Sequence, residues 1–382
     1  MDLSNKTVNL LNLHSGLQHF SSNIYDVFGA VYLLTQGLSF TVVSLAFAGG
    51  CLLRNLFRIF SLFLSEKIGL KRALIFGTIL NSGLFLIISK VNGINSWLYF
   101  YIFYSVLCDI TYWLPYHTYY SVAGDDEKRG KQIGAKLSLI SLFKISAPLV
   151  GGIIITHLGF FALSITSILV SLLSIIPLLF TKDIIPNKSI DWKGALKIVG
   201  KKGFIMRMGD GILYIHTFIW TIVIFYIARN YVVFGGLVTF ELFSTTLLFL
   251  LLGYFIDKGK GKIITYIGLI STGIVILLRA LWITTIPGII LSDIVLAFGM
   301  AFYSSSFEVG FYNLAKQSTN ALWFQFFSEL GWDIGAMVCL ALSAFLYAIG
   351  IPLQFILIIS VAGLFINYGV LKKFYSQSTR LF

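Results

Sequence analysis

The chain has 382 residues, of which 57% are hydrophobic and only 12% are charged, and its mean hydropathy is +0.88. A soluble domain carries roughly 25% charged residues, so this composition excludes a water-soluble globular protein and predicts an integral membrane protein. The net charge of +12 is spread over short segments between apolar runs. That distribution indicates orientation in a lipid bilayer and argues against a nucleic-acid partner.

Apolar runs of about twenty residues, long enough to cross a bilayer, recur along the chain and predict twelve transmembrane helices. In chain order, the predicted spans are 13–34, 40–63, 73–88, 96–120, 133–156, 160–180, 204–228, 237–256, 263–283, 288–314, 322–347 and 352–371.

The longest polar stretch follows the sixth span and is rich in lysine. It predicts a division into a first bundle, a basic linker and a second bundle, at residues 1–181, 182–203 and 204–382. Three apolar residues of the linker recur at helical spacing: Trp192, Leu196 and Val199. They are compatible with a short helix in the lipid headgroup layer or with a solvated linker.

Basic residues are distributed unevenly among the connections. The N-terminal segment and the even-numbered connections hold most of the 28 lysines and arginines, whereas the odd-numbered connections and their edges hold Lys90, Arg229 and Arg279. Cytoplasmic segments are enriched in lysine and arginine, so both termini are predicted to be cytoplasmic. The protein is therefore placed in the cytoplasmic (inner) membrane or cell membrane, and no removable signal peptide is predicted.

Two short polar hairpins lie between spans at related positions, residues 62–72 and 253–262. Each follows the second span of its half. Asp257 of the second hairpin lies 191 positions after Glu66 of the first, which is half of the 382-residue length. This spacing predicts that a six-span unit occurs twice.

The hairpins resemble the signature of the major facilitator superfamily of secondary transporters, Gly-x-x-x-Asp-Arg-x-Gly-Arg-Lys. Gly253, Asp257 and Lys258 match it in the second hairpin, whereas in the first Leu62 replaces the leading glycine and Glu66 stands for the aspartate. The resemblance covers nearly the whole chain. It implies an all-α polytopic membrane protein with twelve transmembrane helices in two pseudo-symmetric six-helix bundles. Glu66 and Asp257 become candidate gating residues, because an acid at a helix end can engage a neighbouring helix N-terminus.

The fifth span contains Ala147-Pro148-Leu149-Val150-Gly151-Gly152. This is similar to the Gly-Pro-x-x-Gly-Gly motif of the drug/proton antiporters of the superfamily, although Ala147 replaces the leading glycine and Phe143 replaces another glycine. A proline kink followed by two glycines also suits close packing in many transporters. The motif therefore favours export by antiport without excluding a packing role.

Ionisable groups within spans are functional candidates, because each costs on the order of 3 kcal/mol at the bilayer centre. Asp26, Asp109 and Lys144 are predicted near mid-depth, and the resemblance places the first and fourth spans beside a central cavity. An acid in apolar surroundings can bind and release a proton unless a cation such as Lys144 pairs with it. Asp26 and Asp109 are thus predicted to couple protons or bind substrate, or else to form a structural polar pair.

The second half carries further candidates. His216 in the seventh span and Asp293 in the tenth are predicted to take part in proton coupling, with a packing role as the alternative for His216. Arg207 and Asp210 are predicted to pair at the membrane edge because they are three residues apart. The resemblance also implies that the eighth and fifth spans abut. Glu241 is therefore predicted to face a lysine of the fifth span, Lys136 or Lys144, with depth favouring Lys144.

Two further pairs predict a gate. Arg54 and Arg58 are one helical turn apart on the second span, and Glu329 and Asp333 are one turn apart on the eleventh. The resemblance implies that these spans face each other across the interface between the halves. The four residues are therefore predicted to form an ionic latch that is closed when the cavity opens outward.

These observations predict a secondary active transporter that moves a small solute by alternating access, with proton coupling, and they do not predict an enzyme. Aromatic residues on the fourth, seventh and tenth spans favour an amphipathic or aromatic solute, or an organic cation. The alternatives are a non-transporting sensor on the same scaffold and a lipid-modifying enzyme. The predicted partners are the solute, protons and lipid, with the chain as a monomer. The dispersed histidines and three cysteines predict no metal, disulfide or cofactor site.

Overall fold

The computed structural model describes residues 5–186, 201–282, 284–318 and 320–378, with side chains except at residues 25–27, 245–251, 253, 282, 377 and 378. The secondary structure of these residues is helical. The α-helices are α1 Lys6–Thr35, α2 Phe40–Phe57, α3 Ile59–Ile68, α4 Leu70–Ile88, α5 Ser96–Ala123, α6 Arg129–Leu173, α7 Ile175–Leu179, α8 Lys201–Ala228, α9 Tyr231–Phe255, α10 Gly261–Trp282, α11 Ile286–Gln317, α12 Ala321–Ala348, α13 Leu353–Ile356 and α14 Val361–Ser378.

Several helices begin at residues whose side chains satisfy the free N–H groups of the first turn. Asn5 accepts from the backbone N–H of Val8 at 3.1 Å, and Asn95 and Asn320 cap α5 and α12 in the same way. Polar residues mark most of the connections, whereas Pro115 and Pro148 lie inside helices. The helices therefore follow the predicted spans closely.

Eight of the described helices are long and apolar enough to cross a membrane. The longest of these segments, Arg129–Leu179, has 51 residues and is broken at Gly159, where φ is 78°. Apart from a few residues at span ends, residue 283 among them, which lies outside the described part of the chain, the predicted spans fall on described helices. The count of twelve spans and the membrane side of the termini stay predictions. The linker residues 187–200, with their predicted helix, lie outside the described part of the chain.

Contacts with α1 show that α6 folds back on itself at Gly159. Ser167, after the break, accepts a hydrogen bond from Ser21 Oγ at 2.6 Å, whereas Gly151, before the break, packs against the carbonyl of Ile24. In a straight helix Gly151 and Ser167 would lie about 24 Å apart. Their partners on α1 are only three residues apart, so the two arms of α6 lie side by side, as the fifth and sixth predicted spans require.

The helices before residue 187 (the first half) meet those after residue 200 (the second half) along two seams. In the first seam α2 packs on α12, and Ser44 Oγ donates to the carbonyl of Leu340 at 2.8 Å. In the second seam α6 packs on α9, and the backbone N–H of Leu149 lies 3.2 Å from Thr239 Oγ1. Both helix pairs are those that the resemblance implied.

We call the end of the molecule that carries Asn5 and the α5–α6 turn the basic face. Asn5 Nδ2 donates to the carbonyl of Ala123 at 2.8 Å and to Asp125 Oδ2 at 3.0 Å. The hydrogen bond from Asn5 holds the pKa of Asp125 below its usual range, with help from Gln132 and from nearby Lys316. These contacts tie the N-terminus of α1 to the end of α5.

At the other end, the opposite face, aromatic side chains of the two halves are in contact. The rings of Phe40 and Tyr347 at the first seam have centroids 4.9 Å apart, and those of Phe28 and Phe234 are 5.3 Å apart. Aromatic pairs of this kind add to the apolar area that they bury. The halves are thus in contact at this face as well as at the basic face.

Candidate transport site

An alternating series of acids and arginines crosses the first seam. We call it the ionic chain, and its members in order are Asp109, Arg54, Asp333, Arg58, Glu329, Arg207 and Asp210. It contains all four predicted latch residues. Arg54 and Asp333 lie near the middle of the helical segments 40–68 and 321–348, so the chain crosses the centre of the molecule.

Arg54 joins the two halves. Its Nε donates to Asp333 Oδ1 at 2.7 Å, and its Nη1 makes a short hydrogen bond to Asp109 Oδ2. Its guanidinium centre also lies 5.2 Å from the ring of Trp332. The cation paired with Asp109 is therefore Arg54 and not Lys144, which sequence reasoning had proposed. Both lie in the first half, but helix rotation directs Arg54 toward Asp109.

Arg58 and Arg207 continue the ionic chain from Asp333 to Asp210 in the second half. Arg58 forms a short hydrogen bond to Asp333, and its Nη1 lies 3.7 Å from Glu329 Oε2. Arg207 donates to Glu329 Oε1 at 2.8 Å and to Asp210 Oδ2 at 2.7 Å. The predicted pair of Arg207 and Asp210 is present, yet it lies at the end of the chain and not alone at a membrane edge.

A second link between the halves lies closer to the basic face. Lys136 of α6 donates to Glu308 Oε2 of α11 at 2.7 Å and lies 3.3 Å from the hydroxyl of Tyr312. The same hydroxyl is 2.7 Å from His117 Nδ1. The partner of Lys136 is thus Glu308 and not Glu241, whose charge interacts with that of Arg279 instead. The favoured alternative, in which Glu241 faces Lys144, stays a prediction.

The second hairpin also connects the halves. Asp257 Oδ1 accepts the backbone N–H of Gly130 at 2.8 Å, and Oδ2 accepts that of Lys131 at 2.9 Å. These are free N–H groups at the start of α6, where the helix dipole also favours a carboxylate. The hairpin of the second half therefore caps a helix of the first half.

The first hairpin makes no equivalent contact. Glu66 forms no hydrogen bond or ion pair with any residue that the structure describes. The matching helix in the second half, α12, is capped by its own Asn320, which accepts from the N–H groups of Leu322 at 3.0 Å and Trp323 at 3.2 Å. The predicted gating role of Glu66 thus has no contact to support it.

Asp183 serves the first hairpin instead. Its Oδ1 accepts the backbone N–H of Lys71 at 2.9 Å, and its Oδ2 lies 3.4 Å from Arg72 Nε. Gly69 adopts φ 91°, and a Cβ there would collide with this carboxylate. Sequence reasoning missed Asp183 because it lies far along the chain, at the start of the predicted linker.

A separate charged cluster is buried within the second half. Arg279 makes a short hydrogen bond to Asp293, and both side chains are 0% exposed. Arg279 Nη1 lies 2.9 Å from His216 Nε2, and its guanidinium centre lies 4.2 Å from the ring of Trp220. The structure thus brings His216 and Asp293 together through Arg279. The sequence predicted that Arg279 lies at the edge of a connection. In the structure it lies in the interior instead.

Arg279→Met is expected to destabilise the fold by about 3–5 kcal/mol, because it leaves the Asp293 carboxylate buried without a partner. The double variant Arg279→Met/Asp293→Leu should recover part of that loss, since the unpaired Asp293 charge is then absent and only Glu241, whose charge also interacts with Arg279, remains. Thermal unfolding of the purified proteins in detergent measures the effect. Equal destabilisation in the single and double variants would contradict the pairing.

Two predicted coupling residues, Asp26 and Lys144, lie outside the ionic chain as the structure describes it. The side chain of Asp26 lies outside the described residues. Lys144 is half-buried on α6 and close enough to His19 for their charges to interact. Within the described residues no group of three or more potential metal ligands occurs. The roles of Asp26 and Lys144 therefore stay predictions.

Two helical halves that meet over a buried ionic network, with apolar helices around them, are typical of membrane transporters built from two bundles. The family model of the Major Facilitator Superfamily matches residues 13–240, which is more than half of the chain. The chain belongs to the Major Facilitator Superfamily. No curated protein sequence matches it.

Solved transporters share the fold at low sequence identity. The human organic anion transporter MFSD10 (TETRAN) has a TM-score of 0.71 and 9% identity, with 97% of this chain and 100% of that chain covered. FucP in the outward conformation has a TM-score of 0.69 and 14% identity, with 96% and 98% covered. The E. coli fucose:proton symporter FucP, in a variant form, has a TM-score of 0.69, 12% identity and the same coverage. These likenesses concern the fold, and the fold and family indicate a transporter rather than an enzyme.

Proposed function

We propose that the protein is a proton-coupled secondary transporter that moves a small solute by alternating access, as a monomer. The observation that carries this proposal is the bridging position of Arg54. It binds Asp109 of its own half and Asp333 of the other half at once. The charge of one acid and the contact between the halves therefore depend on the same guanidinium.

This arrangement supplies a route for coupling. Hydrogen bonds between charged groups contribute about 1.5–3 kcal/mol each, more than neutral ones. If Asp109 gains a proton, its bond to Arg54 weakens, and Arg54 is left to bind Asp333 alone. A change of charge in the first half then alters the strength of the contact across the seam. Such a change shifts the balance between the closed and open conformations.

Aromatic and acidic side chains around the ionic chain favour an amphipathic, aromatic or cationic solute. Trp113, Tyr214 and Trp332 are half-buried, and the carboxyl groups of Asp109 and Asp210 are partly exposed beside them. Aromatic faces next to carboxylates suit organic cations. The structural neighbours differ in their cargo, since one is titled an organic anion transporter and another a fucose:proton symporter. The latter title agrees with proton coupling.

The proposal includes export by antiport, because the motif at residues 147–152 is similar to that of drug/proton antiporters. Its residues also have a packing role. A Cβ on Gly152 would meet the backbone of Tyr231, and one on Gly235 would meet the carbonyl of Pro148. The second seam thus depends on glycine at both helices. A sensor on the same scaffold is the second candidate, favoured by the degenerate first hairpin in which Glu66 has no described partner.

Asp109→Asn is expected to reduce proton-driven flux at least about tenfold, because neutral asparagine cannot exchange a proton with the bridge to Arg54. Solutes that raise the melting temperature of the purified protein would be selected first. Their uptake into proteoliposomes is then measured with and without a pH gradient, with Asp26→Asn alongside and Asp183→Asn as control. Gradient-driven flux that survives in both Asp109→Asn and Asp26→Asn would remove the coupling assignment. Solute binding without any flux in the unmodified protein would support the sensor.

A further inference from the structure

The ionic chain contains one more acid than it has cations. Four carboxylates alternate with three guanidinium groups, and an acid stands at each end. We propose that the chain binds one proton in the closed conformation, and that Asp109 and Asp210 are alternative sites for it. The proposal deepens the proposed function and rests on it for the movement of the halves.

Burial makes the imbalance costly. Arg58 and Asp333 have side-chain exposures of only 2% and 1%, and Glu329 has 5%. An uncompensated charge in such a place is strongly unfavourable, and groups there gain or lose a proton instead. One proton on one carboxyl group leaves three anions and three cations, which balances the chain.

The end positions are the places where this proton is held. Asp333 contacts Arg54 and Arg58, and Glu329 contacts Arg58 and Arg207, so each inner acid has two arginines. Asp109 and Asp210 each have one arginine, which is shared with an inner acid. Their side chains are also more exposed, at 29% and 27%, so that protons can reach them.

The neighbours of each end agree with this assignment. Near Asp109 the charged groups are Arg54 of α2 and, across the seam, Asp333 of α12, with the thiol of Cys51 3.0 Å from Arg54 Nη2. Asp210 lies near two acids and one tyrosine on other helices. These are Glu329 of α12 and Glu308 and Tyr303 of α11. Glu308 is balanced by Lys136. Beyond the single arginine at each end, the groups named here are anionic or neutral, apart from Lys136, which is paired with Glu308.

His117 is the competing site, because its Nε2 lies 3.8 Å from Glu329 Oε1. Three cations surround it, however: Arg58, Arg207 and Lys136. Its Nδ1 is also 2.7 Å from the hydroxyl of Tyr312, a contact that the neutral ring can make. A further positive charge there would be repelled from both sides of the seam, so we assign the proton to the ends of the chain.

The assignment predicts how pH acts on closure. When the first seam opens, the two halves separate. Arg54, Arg58 and Asp109 move with the first half, whereas the other three acids and Arg207 belong to the second half. Water then reaches the separated groups, and the shared proton is released. The closed conformation thus holds one more proton than the open one. By linkage, the ratio of closed to open molecules falls as pH rises, by up to about tenfold per pH unit for one proton.

Spin labels on the basic face measure this ratio without any flux. Glu127→Cys in the first half and Lys262→Cys in the second are exposed sites, whereas the three native cysteines are buried. Distances between the labels, recorded across a pH series, report closed and open populations. Asp109→Asn and Asp210→Asn should each abolish the pH dependence and stay closed, because either change balances the chain permanently. The pair Asp109→Asn/Asp210→Asn leaves an excess arginine and should open at every pH.

Two control variants distinguish the outcomes. Asp183→Asn removes an acid at the basic face outside the chain and should keep the pH dependence of the unmodified protein. His117→Gln should keep it as well. A pH dependence that persists in either single end variant, or that disappears only in His117→Gln, would overturn the proposal. If one of the two end variants does not fold, the pH series of the other is enough to test the proposal. Loss of flux with this pH pattern intact would instead count against the transport function alone.

Discussion

Arg58→Glu is expected to prevent closure of the basic face and to abolish transport. The substituted carboxylate would lie beside Asp333 and Glu329, where Arg58 is now 2% exposed. Removing one partner of a buried ion pair costs about 3–5 kcal/mol, and like charges add repulsion. A loss of that size shifts the closed population by more than about a hundredfold. Label distances across the first seam and flux in proteoliposomes measure it.

Charge exchange is the decisive control for this prediction. Arg58→Glu/Asp333→Arg should restore closure and part of the flux, since an acid and an arginine again face each other across the seam. Glu329→Arg offers a second combination. Arg72→Glu is a matched reversal at a site that is 75% exposed, and it should have little effect. If no combination rescues Arg58→Glu, the four residues do not form a latch.

Gly235→Ala is expected to have the second large effect, through the other seam. Its Cβ would meet the carbonyl of Pro148, so α9 must move away from α6. Overpacking of this kind typically costs about 1–3 kcal/mol. Because the contact joins the two halves, the cost applies to the closed arrangement, and flux should fall about tenfold or more. Melting temperature and flux in proteoliposomes test it together.

The neighbouring residue provides the control. Gly236 is on the same helix, and a Cβ there would have open space. Gly236→Ala should leave flux unchanged and stabilise α9 slightly, because alanine favours helix over glycine by up to about 1 kcal/mol. Equal loss of flux in both variants would mean that helix flexibility, and not contact between α9 and α6, explains the sensitivity.

The latch residues could be predicted because their spacing is a local signal and because the resemblance implied that the second and eleventh spans face each other. Arg54 and Arg58 are one turn apart, as are Glu329 and Asp333, so each pair shares a helix face wherever the helix goes. Charged residues inside apolar runs are also rare enough to be noticed. What the sequence did not reveal is which acid each arginine meets. The bond of Arg54 to Asp109 and that of Arg207 to Glu329 depend on helix rotation, which is set by packing among several helices.

The two hairpins illustrate the same limit. Asp257 and Glu66 have equivalent places in the repeat, and the sequence predicts equal roles for them. In the structure Asp257 caps α6, whereas Glu66 has no described contact, because Asn320 already satisfies the start of α12. A residue far away in the chain thus decides whether a hairpin acid has helix N–H groups to bind.

Composition and periodicity by themselves determined that this chain lies in a membrane, where its helices run, and that a polar hairpin recurs halfway along. These properties are local, because the length and charge of each segment decide them in lipid. The tertiary structure alone decided that the charged residues form one chain across the first seam, with acids at both ends. It also placed Arg279 in the interior and gave the glycines of α6 and α9 their contacts. Such features depend on how the helices rotate and approach one another. That arrangement is set by the sum of many weak contacts between distant segments.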